Sequence, residues 1–333
     1  MKRIALLLVL FCLSFAAFPQ NQVATLQHND SITGVYYGPN ALVSAYNAAD
    51  NGDIISLSSG TFNPVNYYSK VLTLRGAGCV LDTLSNVLPT IIPGIYLACD
   101  NNIFEGIWFT GDVRVNGSNF VSNITFIKCN INKIYNYYNT VATFTVKYFQ
   151  FNNCIINDYS TATFSGISLI NSIVRFSVYS QIDISNPTTI NNSIILFNNE
   201  QPINNILAYN SIIATSSEHD VSNCTFINCI GIETGETLLF EGQTTSNVME
   251  VNDYSDVFET FDGTILYDNI YQLKNDIATS FLGNDGTEVG IYGGMMPYNP
   301  RATYMIMKRC NVAPRSTVDC KLSVDIEIIS GDE

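Results

Sequence analysis

From Pro39 onward the apolar positions fall first at helical and then at alternating spacing. In PNALVSAYNAADNG, Leu42, Ala45, Tyr46 and Ala49 lie at i, i+3, i+4 and i+7, one face of a short helix over residues 39–50. Pro39 suits its first turn and Gly52 its stop. The next segment, NGDIISLSSGTF, opens strands: Ile54, Ile55 and Leu57 form one, SSG breaks it, and Thr61 and Phe62 begin another.

The middle of the chain is a repeat. ITFIKCNI, FQFNNCII, ISLINSIV, TTINNSII, ILAYNSII and CTFINCIG each show a short apolar alternation, a polar residue, Cys or Ser, then aliphatics. The small residues are Cys129, Cys154, Ser172, Ser193, Ser211 and Cys229, spaced by 25, 18, 21, 18 and 18. Asn153, Asn171, Asn192, Asn210 and Asn228 precede five of them. Such a period is too short for a propeller blade and fits one turn of a coiled parallel sheet. Equivalent residues then stack at about 4.8 Å. Asparagine at each corner has two physical roles: it tolerates the left-handed backbone of a sharp turn, and its amide can bond the next amide in a ladder. The helix over 39–50 becomes a plug for the open edge of the first turn. The expectation is an all-β, right-handed parallel β-helix (β-solenoid) over residues 21–300, of about ten or eleven turns by the period.

The helix, NGDIISLSSGTF and KVLTLRGAG together resemble the opening of pectin-lyase-like right-handed parallel β-helix proteins. The later YQLKNDIATSFLGNDGTEVGIYGG resembles the closing turns of secreted members from gut Bacteroides-type bacteria. The resemblance spans roughly Pro39 to Pro300. It implies the fold and leaves activity open, because this architecture hosts lyases, hydrolases, adhesins and stalks alike.

The two ends of the chain carry different patterns. MKRIALLLVLFCLSFAAFPQ has two basic residues, an apolar run and small residues, the form of a secretory signal peptide over residues 1–20. Phe11 before Cys12 argues against a lipoprotein site, and no later run is long and apolar enough to cross a bilayer. The expected location is outside the cytoplasm: extracellular, cell-surface or periplasmic. At the other end, Leu322, Val324, Ile326 and Ile328 alternate, so residues 301–333 are expected to form a C-terminal strand cap, with a sorting signal as the rival. Of nine cysteines, eight lie beyond the signal, and Cys310 with Cys320 is the candidate disulfide. The others mostly follow apolar residues in strand-like runs, where cysteine is a small buried hydrophobe.

Charge narrows the partners. Only 13% of residues are charged, and loss of Lys2 and Arg3 leaves 13 basic against 29 acidic residues, a net charge of −16. Such a surface repels nucleic-acid phosphates and anionic membranes. Twelve carboxylates and one base, Lys274, lie between Glu233 and Glu288. They read as a solvated face, since the alternating Asp/Asn pattern of a calcium loop is absent. No spacing resembles a zinc site, and neither metal nor cofactor is expected.

Catalytic candidates are sparse. Glycoside hydrolysis needs two carboxyl groups about 5–9.5 Å apart, and between Val113 and Asn199 the sequence offers only Asp158 and Asp183. Arg114, Lys128, Lys133, Lys147 and Arg175 are candidate lyase bases without an accompanying acidic calcium cluster. Glu218, His219 and Asp220 form a titratable triplet in a turn, suited to acid/base work or to simple solvation. His28 has no partner visible in the sequence. The 25-residue step after Cys129 carries NKIYNYYNT, an excess expected to project as a loop. It would present Tyr135, Tyr137 and Tyr138 as flat apolar faces beside amides, the chemistry that sugar rings require. The sequence reading is therefore a secreted, non-catalytic protein that contacts polysaccharide or glycoprotein glycans, adhesin-like. A polysaccharide lyase or glycoside hydrolase acting on acidic or plant/host polysaccharides is the alternative, and a structural stalk the third reading.

Overall fold

A computed structural model describes residues 22–81, 87–115, 121–136, 146–181, 186–198, 202–216, 220–233, 239–266, 270–301, 306–312 and 324–329. The strands stack in parallel as a right-handed β-helix of about eight turns. Register along one face is continuous: Thr73 faces Ile103, then Thr125, Gln150, Ser168, Thr189, Leu207, Thr225 and Thr244. The steps are 30, 22, 25, 18, 21, 18, 18 and 19 residues. The turns number fewer than ten or eleven because the early ones are long and the coil ends at Val251.

Alternation within each strand builds the interior. Phe126 is fully buried between half-buried Thr125 and Ile127. The rings of Phe104, Phe126 and Phe151 stack on consecutive turns, with centroids 5.2 and 5.3 Å apart and planes 18° and 5° from parallel. Such pairs contribute about 0.5–1.5 kcal/mol each beyond their burial.

Beside this column runs a ladder of small polar side chains. The backbone N–H groups of Cys154, Ser172 and Ser193 donate to the hydroxyls of Ser172, Ser193 and Ser211, respectively, at 3.0, 3.2 and 3.1 Å. Those hydroxyls donate in turn to carbonyls of their own strands, of Ile170, Asn191 and Tyr209. Serine fits because the buried N–H at each corner needs an acceptor that a strand neighbour does not supply.

The corner residues Asn153, Asn171, Asn192, Asn210 and Asn228 all have positive φ, between 46° and 56°. They occupy consecutive turns, being next in register to the paired Asn152, Ile170, Asn191, Tyr209 and Ile227. Amide-to-amide bonds run from Asn228 to Asn210 and from Asn247 to Asn228. Asn123, Asn205 and Asn223 make a second positive-φ column at another corner, where Asn223 donates to Asn205 at 3.1 Å.

The two aliphatics after Cys154, Ser172, Ser193 and Ser211 point in opposite directions. Ile156, Val174, Ile195 and Ile213 face the interior core, while Ile155, Ile173, Ile194, Ile212 and Ile230 belong to a second core. Phe258, Phe261, Tyr271, Val289 and Ile291 cover that outer row. The chain beyond the last turn thus folds back along the flank and returns past the corner column. Asn284 exchanges bonds with Asn210, Ile291 and Gly293 accept from Asn171, and Asn299 donates to Asn153. Gly293 is required there, because a Cβ would sit 1.8 Å from the carbonyl oxygen of Glu288.

The N-terminal end is closed by an arrangement the sequence pattern did not show. Strand Val23–His28 pairs antiparallel with both Ser31–Tyr37 and Ile54–Leu57, covering the first open edge. The helix spans Ala41–Ala48, shorter than residues 39–50, and buries Leu42, Ala45 and Tyr46 as the spacing predicts, with Ala49 buried just past its end as the extended C-cap. Lys70 Nζ donates to the carbonyls of Tyr46, Asn47 and Ala49, a cation on the helix C-terminus. His28 does have a partner: its Nδ1 lies 2.6 Å from Oδ1 of buried Asp53, whose other oxygen accepts from Asp50 N–H. Near the C-terminus, Ile306–Val312 and Val324–Ile329 form a separate antiparallel pair. The candidate bond between Cys310 and Cys320 falls outside the described side chains.

Candidate functional site

The outer face of the early turns carries a row of side chains that crosses one turn per residue. Tyr68 bridges Leu97, so their predecessors Tyr67 and Tyr96 are neighbours. Tyr96 is in register with Arg114, and Arg114 with Tyr135. Alternation fixes their direction, since Tyr68, Leu97, Val113, Val115 and Ile134 on either side are buried inward. The rings of Tyr67 and Tyr96 stack with centroids 5.3 Å apart and planes 23° from parallel, and Tyr67 is 46% exposed.

Two residues earlier in each strand lies a charged row. Asp112 is in register with Lys133, and Lys133 occupies the turn before Asp158. Lys133 Nζ is 2.6 Å from Asp158 Oδ2, and Arg114 Nη2 is 3.5 Å from Asp112 Oδ2. Both cations lie 5.9 Å from the Tyr135 ring centroid. Burial pushes the Asp158 carboxyl up, but Lys133 with the hydroxyls of Ser160 and Ser177 outweighs it and holds the carboxyl below its ordinary value. A depression of about 410 Å³ opens beside these rows, lined by Pro64, Asn66, Pro93, Gly94, Tyr96, Asp112 and Arg114.

The predicted site residues are distributed unevenly against this geometry. Tyr135 lies half-buried in the strand Asn130–Asn136, on the sheet's outer face and not on a projecting loop. Tyr137 and Tyr138 lie outside the described residues, as do Glu218, His219 and Asp183. Asp220 is exposed, and its carbonyl accepts from Ile203. Among the candidate bases, Arg114 and Lys133 meet at Tyr135. Lys128 is buried at a corner with φ of 50°, Arg175 donates to the carbonyl of Gly263, and Lys147 sits in the short strand Val146–Lys147. Several members of the acidic run cap turns: Asp253, Asp262 and Asp285 accept from the N–H groups of Ser255, Thr264 and Thr287. No cluster of three metal-ligating side chains occurs among the described residues.

Sequence reasoning missed Tyr67, Tyr96 and Asp112. Asp112 falls one residue before the acid-poor stretch, and the two tyrosines lie in turns of irregular length. The signal was present only as register, 21 residues from Asp112 to Lys133 and 25 from Lys133 to Asp158.

Compared with known proteins, the chain matches no family model, no curated protein and no solved structure. Among the described residues no helix is long and apolar enough to cross a membrane.

Proposed function

We propose that this is a secreted glycan-binding protein, kin to the pectin-lyase-like β-helix proteins of gut Bacteroides-type bacteria, whose site is the outer row of Tyr67, Tyr96, Arg114 and Tyr135. The observation that carries it is the Tyr67–Tyr96 stack on adjacent turns, continued through Arg114 to Tyr135. Flat rings on a rigid sheet, with charged hydrogen-bonding groups between them, suit the apolar faces and hydroxyl edges of sugars. The kinship is supported by the cap helix leading into NGDIISLSSGTF and the coil beyond it. A glycan array probed with protein lacking residues 1–20 tests this reading. Binding that Tyr96→Ala weakens supports it; a folded protein that retains no glycan contradicts it.

A second reading, a polysaccharide lyase or hydrolase, is favoured by Asp112 and Asp158 bracketing Lys133 on successive turns. Binding is the better supported of the two, because Lys133 Nζ is held 2.6 Å from Asp158 Oδ2, engaged by that carboxylate and not turned toward a substrate carbon. Release of unsaturated uronate products from pectate, lost in Lys133→Ala, would establish the enzyme instead.

A further inference from the structure

We infer that the ligand is an uncharged polysaccharide chain lying along the coil axis, an inference that rests on the glycan-binding reading. Direction comes from register. Tyr67, Tyr96, Arg114 and Tyr135 each belong to a different turn, so the row runs along the axis and spans three turn spacings, about 14 Å. A single sugar covers one ring pair at most; a chain is needed to reach from Tyr67 to Tyr135. The floor is bare midway, because Gly94 has no side chain and a Cβ there would lie 2.7 Å from the carbonyl of Asp112. That gap, beside Asp112 and Arg114, is the depression of about 410 Å³.

Charge selects the class of chain. Each cation beside Tyr135 is answered by a carboxylate, Arg114 by Asp112 and Lys133 by Asp158. The four groups balance locally, while the chain without residues 1–20 carries −16. A uronate or sulfated polymer would compete with these carboxylates and meet long-range repulsion. An uncharged chain uses both signs: its hydroxyls donate to Asp112 and accept from Arg114, charge-assisted bonds in each direction. The rings at either end take the apolar sugar faces.

The test is titration calorimetry with glucan, mannan and xylan oligosaccharides from disaccharide to hexasaccharide, against oligogalacturonides of the same lengths. Runs at low and high salt separate the charge classes. Expected are binding of at least one uncharged series, affinity that rises with length until the chain reaches from Tyr67 to Tyr135, and no salt dependence. Asp112→Asn and Arg114→Met should each lower that affinity about tenfold. Tyr67→Ala, at an exposed position, supplies a variant whose fold is safe. Tighter, salt-sensitive binding of oligogalacturonides would overturn the uncharged ligand while leaving glycan binding standing. A disaccharide that binds as well as the hexasaccharide would overturn the axial placement. Failure of both series to bind the folded protein would remove the glycan-binding reading itself.

Discussion

The side-chain amide of Asn171 donates to the main-chain carbonyl of Ile291 at 2.8 Å, joining residues 120 positions apart. The same nitrogen reaches the carbonyl of Gly293, also at 2.8 Å. A corner residue of the coil therefore also anchors the returning chain. This gives the asparagine column two separable contributions, backbone tolerance and side-chain bonding.

Replacing Asn171 separates them. Asn171→Gly keeps the left-handed backbone and removes both bonds, which should cost about 1–3 kcal/mol for buried carbonyls left without a donor. Asn171→Ala should cost about 1–2 kcal/mol more, since alanine is strained at its φ of 46°. Urea unfolding midpoints of the two variants measure the difference. Equal losses would show that the corner strain is relieved by movement of the turn.

Ser193 offers a complementary case inside the coil. Its hydroxyl accepts from the N–H of Ser172 and donates to the carbonyl of Asn191. Ser193→Ala should lower stability by about 1–3 kcal/mol by orphaning a buried N–H. Ser193→Cys should cost much less, because Cys129, Cys154 and Cys229 hold the same position in other turns. Thermal melts of the pair, compared with the parent, check the ordering.

Alkaline pH probes the buried thiols, Cys229 in that column and Cys224 beside the second asparagine corner. Burial raises the thiol of Cys224 to about 11 and that of Cys229 to about 12. A raised folded value favours the folded state while the proton is on. That contribution is complete below the ordinary thiol range near 8.5 and is lost as pH climbs toward the folded values. Unfolding midpoints should therefore fall from about pH 9 upward, and Cys229→Ser should make the fall shallower. The slope of midpoint against pH is the measurement; an unchanged slope would place the alkaline sensitivity elsewhere.

The repeat was legible because six segments spaced by 18 to 25 residues carry residues of the same role in the same order. The corner asparagines, the Cys/Ser ladder and the buried face of the helix at Leu42, Ala45 and Tyr46 all follow from local rules of backbone conformation and alternation. Long-range pairings were not legible. His28 meets Asp53 only because the N-terminal strand reverses across the first turn. The outer row of Ile155, Ile173, Ile194, Ile212 and Ile230 gave no sign of its cover, since the covering segment from Tyr254 to Tyr298 has no period of its own. Tyr67, Tyr96 and Arg114 join Tyr135 through steps of unequal length, which periodicity cannot align.

The most direct measurement for the whole account is the affinity of Tyr96→Ala for the uncharged oligosaccharide that the parent protein binds best. Tyr96 is half-buried against Tyr67 on the outer face, so its removal should leave the coil folded and its thermal midpoint nearly unchanged. The account predicts at least a fivefold loss of affinity, about 1 kcal/mol for one stacking ring. A folded variant that binds the same oligosaccharide as tightly as the parent would contradict it.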